Sequence, residues 1–321
     1  MQIAGIHHVT AIARDPQKNV DFYTGVLGLR LVKKTVNFDD PGSYHLYYGD
    51  ETGRPGTLLT FFPWPHAKLG SRGAGQATRI AFAVPEGSLG RWIAHLEAHG
   101  VEIEGPRGRF AEEVLVLRDP DGLEIELVEL AGAAEIAPWE GGPVPAEVAV
   151  RGFHGVTLTE WNPDVTAALL TATMGFRPTD ESPGRFRFET GAGGGGTRVD
   201  ILASPDAARG RISAGTVHHV AWRAADDAEQ LAWQRTLAER GLQVTPVQER
   251  QYFRSIYFRE PGGVLFEIAT DGPGFTVDEP VASLGSALKL PPWLEPARAE
   301  IEEALPPLAP IAVGQPVRGA A

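Results

Sequence analysis

The segment Val217-His218-His219-Val220-Ala221 is an apolar, strand-forming run that carries two adjacent histidines. A near copy, Ile6-His7-His8-Val9-Thr10, lies close to the start of the chain. A third apolar run, Gly262-Gly263-Val264-Leu265-Phe266-Glu267-Ile268, contains one carboxylate among strand-forming residues. Two imidazoles and a carboxylate suggest a metal site, provided that folding brings the three segments together.

The composition excludes several classes of function. The chain has 321 residues, of which 43% are hydrophobic and 22% are charged, as in ordinary globular proteins. Its formal net charge of −12, with no cluster of Lys and Arg, argues against nucleic acids and anionic membranes as partners. A small molecule is the expected partner. Because there are no cysteines, any metal must be held by nitrogen and oxygen ligands.

The start of the chain, Met1 to Gly5, has neither the basic nor the apolar segment of a secretory signal. No apolar run approaches the roughly 20 residues that span a bilayer. These features predict a soluble, cytoplasmic protein. Assembly into a homo-oligomer is left open.

The chain repeats one unit four times. In each copy a first strand is followed by a helix, a glycine that ends the helix, and further strands. The pairs Asp15-Pro16 and Asn162-Pro163 begin two of these helices as an N-cap followed by proline. From the first-strand position to the glycine, the copies run from 8 to 28, 79 to 100, 155 to 175 and 219 to 241. This regular spacing indicates a repeated module.

The repeats predict how the chain is divided. One such unit is too small to enclose a core, so the copies must pair. We expect two modules in an N-terminal domain, residues 1–131, and two in a C-terminal domain, residues 151–271. The segment 132–150 is rich in Ala, Pro, Gly and Glu and is predicted to be a linker. Residues 272–321 form a tail, with an amphipathic helix expected near Trp293 to Leu305 and a Pro-rich end.

Alignment of the copies locates candidate ligands. One position on the first strand and one on the last are expected to share a face, which gives the pairs His8 and Thr60, Arg79 and Glu126, Gly155 and Asp200, and His219 and Glu267. The fourth copy alone offers two ligands. A third must come from a partner copy and is either His8 or Asp200. We favour His8, because the His-His-Val context occurs in the first and fourth copies alone. An ion pair between Arg79 and Glu126 is expected in the second copy.

Other polar residues are candidates for the surroundings of the site. Arg250 and Tyr257 lie in a segment that must form a hairpin with the strand of Glu267. A cation and a phenol near a metal suit an anionic aromatic substrate, but a surface Arg and a core Tyr are an equally good interpretation. His7 and His218 adjoin the ligands, yet neighbours on a strand face opposite ways. The remaining histidines are interpreted as structural or solvated: His45, His66, His95, His99 and His154.

Four segments carry a resemblance to a known family: His7-His8-Val9-Thr10, Arg30 to Thr35, Tyr44 to Tyr48, and Gly262 to Glu267. Over residues 5 to 271 the chain resembles the vicinal oxygen chelate superfamily, which includes glyoxalase I and the extradiol dioxygenases. Within it, the chain is most similar to the hydroquinone ring-cleaving dioxygenases. The resemblance implies an α+β fold in which four βαβββ modules pair into two curved mixed sheets with the helices outside.

The resemblance also implies a metal and a set of site residues. Iron(II) would be held by His8, His219 and Glu267, with manganese(II) and zinc(II) as second choices. The positions expected around the substrate are His7, Thr10, His218, Arg250 and Tyr257.

The expected activity is that of an iron(II)-dependent, extradiol-type dioxygenase that inserts O2 into a hydroquinone-like or catechol-like ring. His218 is expected to act as acid and base, because the ordinary pKa of histidine lies near neutrality. Arg250 and Tyr257 would orient the substrate. One alternative is a glyoxalase-like isomerase using zinc or nickel, for which Thr60 would be a poor fourth ligand. The other is a metal-free binding module of the bleomycin-resistance type, which would not need the three ligands.

Overall fold

The computed structural model describes residues 1–309 and contains four βαβββ modules in succession. The first module consists of β1 (Ile6–Ala13), α1 (Pro16–Val20), β2 (Arg30–Asn37), β3 (Asp40–Gly49) and β4 (Leu58–Pro63). The second consists of β5 (Gln76–Val84), α2 (Leu89–Ala98), β6 (Ile103–Arg109), β7 (Glu112–Arg118) and β8 (Glu124–Glu129).

The second half of the chain repeats this order. The third module consists of β9 (Phe153–Glu160), α3 (Pro163–Ala172), β10 (Arg177–Ser182), β11 (Arg185–Glu189) and β12 (Arg198–Ala203). The fourth consists of β13 (Thr216–Ala224), α4 (Asp227–Glu239), β14 (Gln248–Glu249), β15 (Arg254–Arg259) and β16 (Leu265–Thr270).

Local sequence signals explain where the helices begin and end. The Asp15 carboxylate accepts hydrogen bonds from two backbone amides at the start of α1, and the Asn162 side chain caps α3 by accepting one from Asp164 N–H. Helix α1 continues as a π-helical turn over Asp21–Val26. The four repeat glycines adopt positive φ angles of 69°, 66°, 80° and 83° at positions 28, 100, 175 and 241. Glycine reaches this left-handed conformation without steric cost, so the predicted helix ends are confirmed.

The modules pair into two eight-stranded mixed sheets. The first sheet has the order β14-β15-β16-β13-β1-β4-β3-β2, and the second has the order β10-β11-β12-β9-β5-β8-β7-β6. Within every module the first strand lies parallel to the last, and between modules the first strands lie antiparallel. The predicted pairing of the first module with the fourth is therefore confirmed, and the predicted fold of two curved sheets is correct.

The strand pair at the centre of the first sheet contains two β-bulges. Ile6 lies opposite Trp222 and His8 opposite Ala221, so His7 is an extra residue on β1. Thr10 lies opposite His219 and Ala11 opposite Val217, so His218 is an extra residue on β13. A bulge breaks the strict alternation of a strand and redirects the side chain beside it.

Each half of the chain contributes one module to each sheet, and the two sheets share a continuous core. Helices α2 and α4 bury Trp92 and Trp233 in this core. The segment 132–150 packs onto the core through Val144 and Val148, which are buried. The division into two domains at this segment stays a prediction. Among residues 1–309, no helix combines the length and the apolar character needed to cross a membrane.

The tail packs against the first sheet over its described part. Lys33 of β2 is fully buried, and its Nζ donates to Asp278 Oδ1 at 2.6 Å and to Glu279. The expected amphipathic helix is shorter than predicted and covers Arg298–Ala304, after a 3-10 turn at Glu295–Ala297. Residues 310–321 of the predicted tail lie outside the described residues.

In the second sheet, arginine side chains pair with Glu126 and Asp200, the acidic residues at the positions that correspond to the candidate ligands. Arg187 Nε contacts Asp200 Oδ1 at 2.7 Å, and both side chains are 3% exposed. Arg79 Nε pairs with Glu124 Oε2 at 2.8 Å and lies 3.8 Å from Glu126. The expected ion pair of Arg79 with Glu126 is therefore present but long, and Glu124 is the nearer partner. Glu126 also bonds to Arg109, which reaches it from the edge strand β6.

These ion pairs lead to a prediction about stability. Arg187→Met leaves the buried carboxylate of Asp200 short of its main partner, and we expect a loss of about 3 kcal/mol in the free energy of unfolding. Arg177→Met is the matched control, because Arg177 is 47% exposed and its pair with Glu189 is worth at most about 1 kcal/mol. Urea unfolding of both variants measures the difference. Equal losses would show that the buried pair does not stabilise the second sheet.

Candidate metal centre

Three side chains from the central strands of the first sheet converge on one point. His8 Nε2 lies 3.3 Å from His219 Nε2 and 3.4 Å from Glu267 Oε2, and His219 Nε2 lies 2.9 Å from the same carboxylate oxygen. All three residues are buried. The structure thus brings together the residues proposed as ligands, and it keeps Asp200 in the other sheet.

The spacing of these atoms fits a metal ion. Two donors that each lie about 2.1 Å from one ion are about 3.0 Å apart at a right angle and about 3.4 Å apart at the tetrahedral angle. The observed separations of 2.9 to 3.4 Å fall in this range. Glu267 Oε2 is buried, and among the described residues its polar neighbours are these two imidazole nitrogens. A buried carboxylate oxygen facing two imidazole nitrogens is well suited to a cation.

Neighbouring groups orient the carboxylate of Glu267. Ser255 Oγ on the adjacent strand β15 donates a hydrogen bond to Glu267 Oε1, which leaves Oε2 for the imidazoles. Burial by itself would raise the pKa of Glu267, but His8 and His219 outweigh burial and hold this pKa well below its usual value. The carboxylate is therefore ionised at neutral pH, as a metal ligand must be.

His7 determines which nitrogen of His8 carries a proton. Burial and the neighbouring His8 hold the pKa of His7 well below its ordinary value, so its ring is neutral. His7 Nε2 lies 3.1 Å from the Thr270 carbonyl, which can only accept, so the proton of His7 is on Nε2. His7 Nδ1 must then accept from His8 Nδ1, at 2.9 Å. When His8 holds a metal, which requires the neutral ring, its lone pair therefore lies on Nε2, the nitrogen that faces Glu267 and His219.

His218 makes the corresponding contact on the other side, with its Nδ1 2.8 Å from His219 Nδ1. The bulges explain why both pairs of adjacent histidines touch, contrary to the expectation that strand neighbours face opposite ways. Burial lowers the pKa of His218 to about 3, with a further contribution from His219. Our reason for assigning acid–base chemistry to His218, an ordinary pKa near neutrality, was therefore wrong, because the ring is neutral at physiological pH.

The centre opens into a cavity of about 330 Å³, a size suited to a small ligand. Five of the predicted site residues line it: His8, His218, His219, Arg250 and Tyr257. His7 lies behind the cavity wall in contact with His8, and Thr10 lies one contact deeper, behind Thr60 and His45. Much of the remaining wall is apolar or aromatic and consists of Phe38, Tyr47, Phe62, Trp64, Phe253 and Leu265.

Arg250 and Tyr257 form the polar side of the cavity. Tyr257 lies opposite Glu267 in the β15–β16 ladder, and Arg250 Nε donates to its hydroxyl at 3.3 Å. Burial raises the pKa of Tyr257 above its ordinary value, and the nearby Glu267 raises it further. Tyr257 is therefore a neutral phenol at physiological pH. The structure supports the placement of both residues at the site over the alternative of a surface Arg and a core Tyr.

Sequence reasoning missed His45 and Tyr47, which also line the cavity. His45 Nε2 lies 2.9 Å from Thr60 Oγ1, and its Nδ1 lies 2.8 Å from the Tyr47 hydroxyl. Thr60 Oγ1 lies in turn 2.8 Å from Thr10 Oγ1. The repeats contained a signal for Tyr47. Tyr47 lies opposite Thr60 in the first module just as Tyr257 lies opposite Glu267 in the fourth, but we compared only the first and last strands.

Comparison with known proteins agrees with this architecture. A family model described as Glyoxalase/Bleomycin resistance protein/Dioxygenase superfamily matches residues 5–127 and 153–268. The "Putative ring-cleaving dioxygenase MhqO" of Bacillus subtilis (strain 168) is 49% identical over 94% of this chain and 96% of its own. The chlorohydroquinone/hydroquinone 1,2-dioxygenase of Sphingobium indicum is 37% identical over 94% and 95% of the two chains.

A solved structure is similar over the whole chain. The crystal structure titled "putative dioxygenase from Bacillus subtilis subsp. subtilis str. 168" is 47% identical, covers 99% of both chains and superimposes with a TM-score of 0.92. The agreement in sequence and in structure extends across all four modules. This chain therefore belongs to the Glyoxalase/Bleomycin resistance protein/Dioxygenase superfamily.

Proposed function

We propose that this protein is a ring-cleaving dioxygenase that uses iron(II) to insert O2 into a hydroquinone-like or catechol-like aromatic. The observation that carries this proposal is the group of His8, His219 and Glu267 at the base of a largely aromatic cavity. The relatives named as ring-cleaving dioxygenases support it, and one of them is named for hydroquinone and chlorohydroquinone. A role in the breakdown of aromatic compounds follows from the same proposal.

Two imidazoles and one carboxylate on one face of an ion are the ligand set typical of non-haem iron(II) oxygenases. Bound iron(II) would supply adjacent open positions at which the substrate oxygen and O2 can react. The protein supplies a dry site, since the three ligands are almost fully buried and the cavity is flanked by Phe62, Trp64 and Phe253. Exclusion of water strengthens every charge interaction within the cavity.

Arg250 and Tyr257 bind and orient the ring in this proposal. A hydroquinone has its two hydroxyls on opposite sides of the ring and can offer only one of them to a metal, whereas a catechol can offer both. Protein contacts must therefore replace the missing bond. The guanidinium of Arg250 and the neutral phenol of Tyr257 can donate hydrogen bonds to oxygen and stabilise negative charge on the ring.

His218 moves protons beside the substrate in this proposal. If His219 presents a lone pair on Nε2, its Nδ1 must donate to His218 Nδ1, at 2.8 Å. The proton of His218 then lies on Nε2, available to an oxygen of the bound ligand in the cavity that His218 lines. Thr10 acts indirectly through Thr60, because the two hydroxyls lie 2.8 Å apart.

The alternatives receive less support. A glyoxalase-like isomerase would use Thr60 as a fourth ligand, but the Thr60 hydroxyl is already engaged by Thr10 and His45. A metal-free binding module does not explain why two imidazole nitrogens lie within 3.4 Å of one buried carboxylate oxygen.

Metal content provides the first test of this function. Alanine at His8, His219 or Glu267 should abolish stoichiometric metal, because two donors are too few for a stable site. Asp200→Asn and Glu126→Gln are matched controls at the corresponding positions of the second sheet and should retain the metal. Anaerobic metal analysis of folded protein makes the comparison. Metal retained in His8→Ala but lost in Asp200→Asn would mean that we chose the wrong ligand.

Oxygen uptake distinguishes the dioxygenase from the isomerase. The iron(II)-loaded protein should consume one O2 per ring cleaved with at least one member of a panel of hydroquinones and catechols. An oxygen electrode and product analysis provide the measurement, and the Glu267→Ala variant serves as the inactive control. Failure of the fully loaded protein to consume O2 with every dihydroxybenzene would contradict the proposal and favour the isomerase.

Substrate orientation can be tested separately from metal binding. Arg250→Ala and Tyr257→Phe each remove a hydrogen bond of roughly 1.5–3 kcal/mol, which corresponds to about a 10- to 100-fold loss of kcat/KM. We expect this loss on hydroquinones and a smaller one on any catechol that is cleaved, with metal content unchanged. Steady-state kinetics on both substrates provides the test. Equal losses on both would show that these residues do not replace a metal bond.

A further inference from the structure

The mouth of the cavity lies between two modules. On one side is the turn that joins β2 to β3, with Asn37, Phe38 and Asp39 in the cavity wall. On the other side are Gln248 and Arg250 of the fourth module. Arg250 Nη1 donates to Asp39 Oδ2 across the mouth at 2.9 Å.

Each of the three nitrogen atoms of the Arg250 guanidinium donates to a different residue. Nε donates to the Tyr257 hydroxyl at 3.3 Å, Nη2 to Gln248 Oε1 at 2.5 Å, and Nη1 to Asp39. Asp39 is the one carboxylate that pairs with Arg250 within residues 1–309. It therefore balances the positive charge that the cavity would otherwise present to a ligand.

A ligand carboxylate at the outer end of the ring would meet few other cations. Of the residues that line the cavity, Arg250 alone carries a permanent positive charge, and Phe38, Phe62, Trp64 and Leu265 are apolar. An incoming carboxylate must therefore displace Asp39 from Arg250 or share the guanidinium with it. Two carboxylates on one guanidinium repel each other, whereas a neutral hydroxyl or amide can accept from Arg250 without that repulsion.

We propose that Asp39 is a specificity-determining residue, which holds the charge of Arg250 and thereby disfavours aromatic ligands with a carboxylate opposite the metal-binding oxygen. This inference rests on the proposed function of the site as one that binds a phenolic ring. Asp39 acts on the ligand through Arg250 and through its own charge at the mouth.

The exposure of Asp39 limits the size of the effect. Its side chain is 71% exposed, while that of Arg250 is 17% exposed, so solvent screens the pair. Exposed ion pairs are typically worth up to about 1 kcal/mol, which is about a fivefold change in affinity. We therefore expect a change of about two- to fivefold and no complete switch of specificity.

The experiment compares two ligands of nearly the same shape. 4-Hydroxybenzoate carries a carboxylate opposite its phenol, and 4-hydroxybenzamide carries a neutral amide there. The Kd of each is measured by calorimetry on the full-length, iron(II)-loaded protein under nitrogen, where no turnover occurs. The variants are Asp39→Asn, which keeps the shape and removes the charge, and Asp40→Asn. Asp40 is the next residue of the chain, at the start of β3, and does not line the cavity.

In Asp39→Asn the affinity for 4-hydroxybenzoate relative to 4-hydroxybenzamide should rise by about two- to fivefold. In Asp40→Asn the ratio should stay at the wild-type value. An unchanged ratio in Asp39→Asn, an equal rise in both variants, or no measurable binding of either ligand to the wild type would each overturn the inference. Oxygen uptake on dihydroxybenzenes is recorded separately. If the iron(II)-loaded wild type consumed no O2 but the Asp39→Asn variant still showed the shift in Kd, the dioxygenase proposal would be disproved and the role of Asp39 would stand.

Discussion

The antiparallel pairing of β1 with β13 is the constraint on which the rest of the site depends. It joins the first and the last module of the chain and places His8 and His219 on one face of one sheet. The parallel pairing of β13 with β16 then brings Glu267 alongside, opposite Ala221. Neither half of the chain holds all three residues. The site therefore exists only when the two ends of the chain have folded together, which couples formation of the centre to formation of the long-range sheet.

The bulges in this strand pair add the groups that orient the ligands. In a regular ladder, His7 and His218 would face away from their neighbours. As extra residues they lie with one nitrogen against Nδ1 of His8 and of His219. Hydrogen bonds link the Thr270 carbonyl to His7 and His7 to His8. They hold the proton of a neutral His8 on Nδ1, so that Nε2 keeps its lone pair for a cation. Irregular strand geometry thus serves the chemistry of the centre directly.

The two sheets surround their buried acidic groups with different partners. In the second sheet, Asp200 and Glu126 are each paired with a guanidinium. In the first sheet, Glu267 Oε2 faces the imidazoles of His8 and His219. A buried carboxylate is costly unless a cation or hydrogen bonds compensate it. The second sheet thus uses its buried acidic groups in ion pairs that serve stability, and the first directs a carboxylate at the two imidazoles of the candidate metal centre.

Much of the fold and of the candidate site could be predicted from the amino-acid sequence alone. The four modules followed from the spacing between strand and glycine, since helix ends and strand patterns are local properties of the backbone. The grouping of His8, His219 and Glu267 followed from aligning the modules. Tertiary structure alone decided three other features: the bulges at His7 and His218, the pairing of Arg79 with Glu124, and the contact between Asp39 and Arg250. Periodicity reports which face of its own strand a residue occupies, whereas bulges and ion pairs depend on the register between segments far apart in sequence.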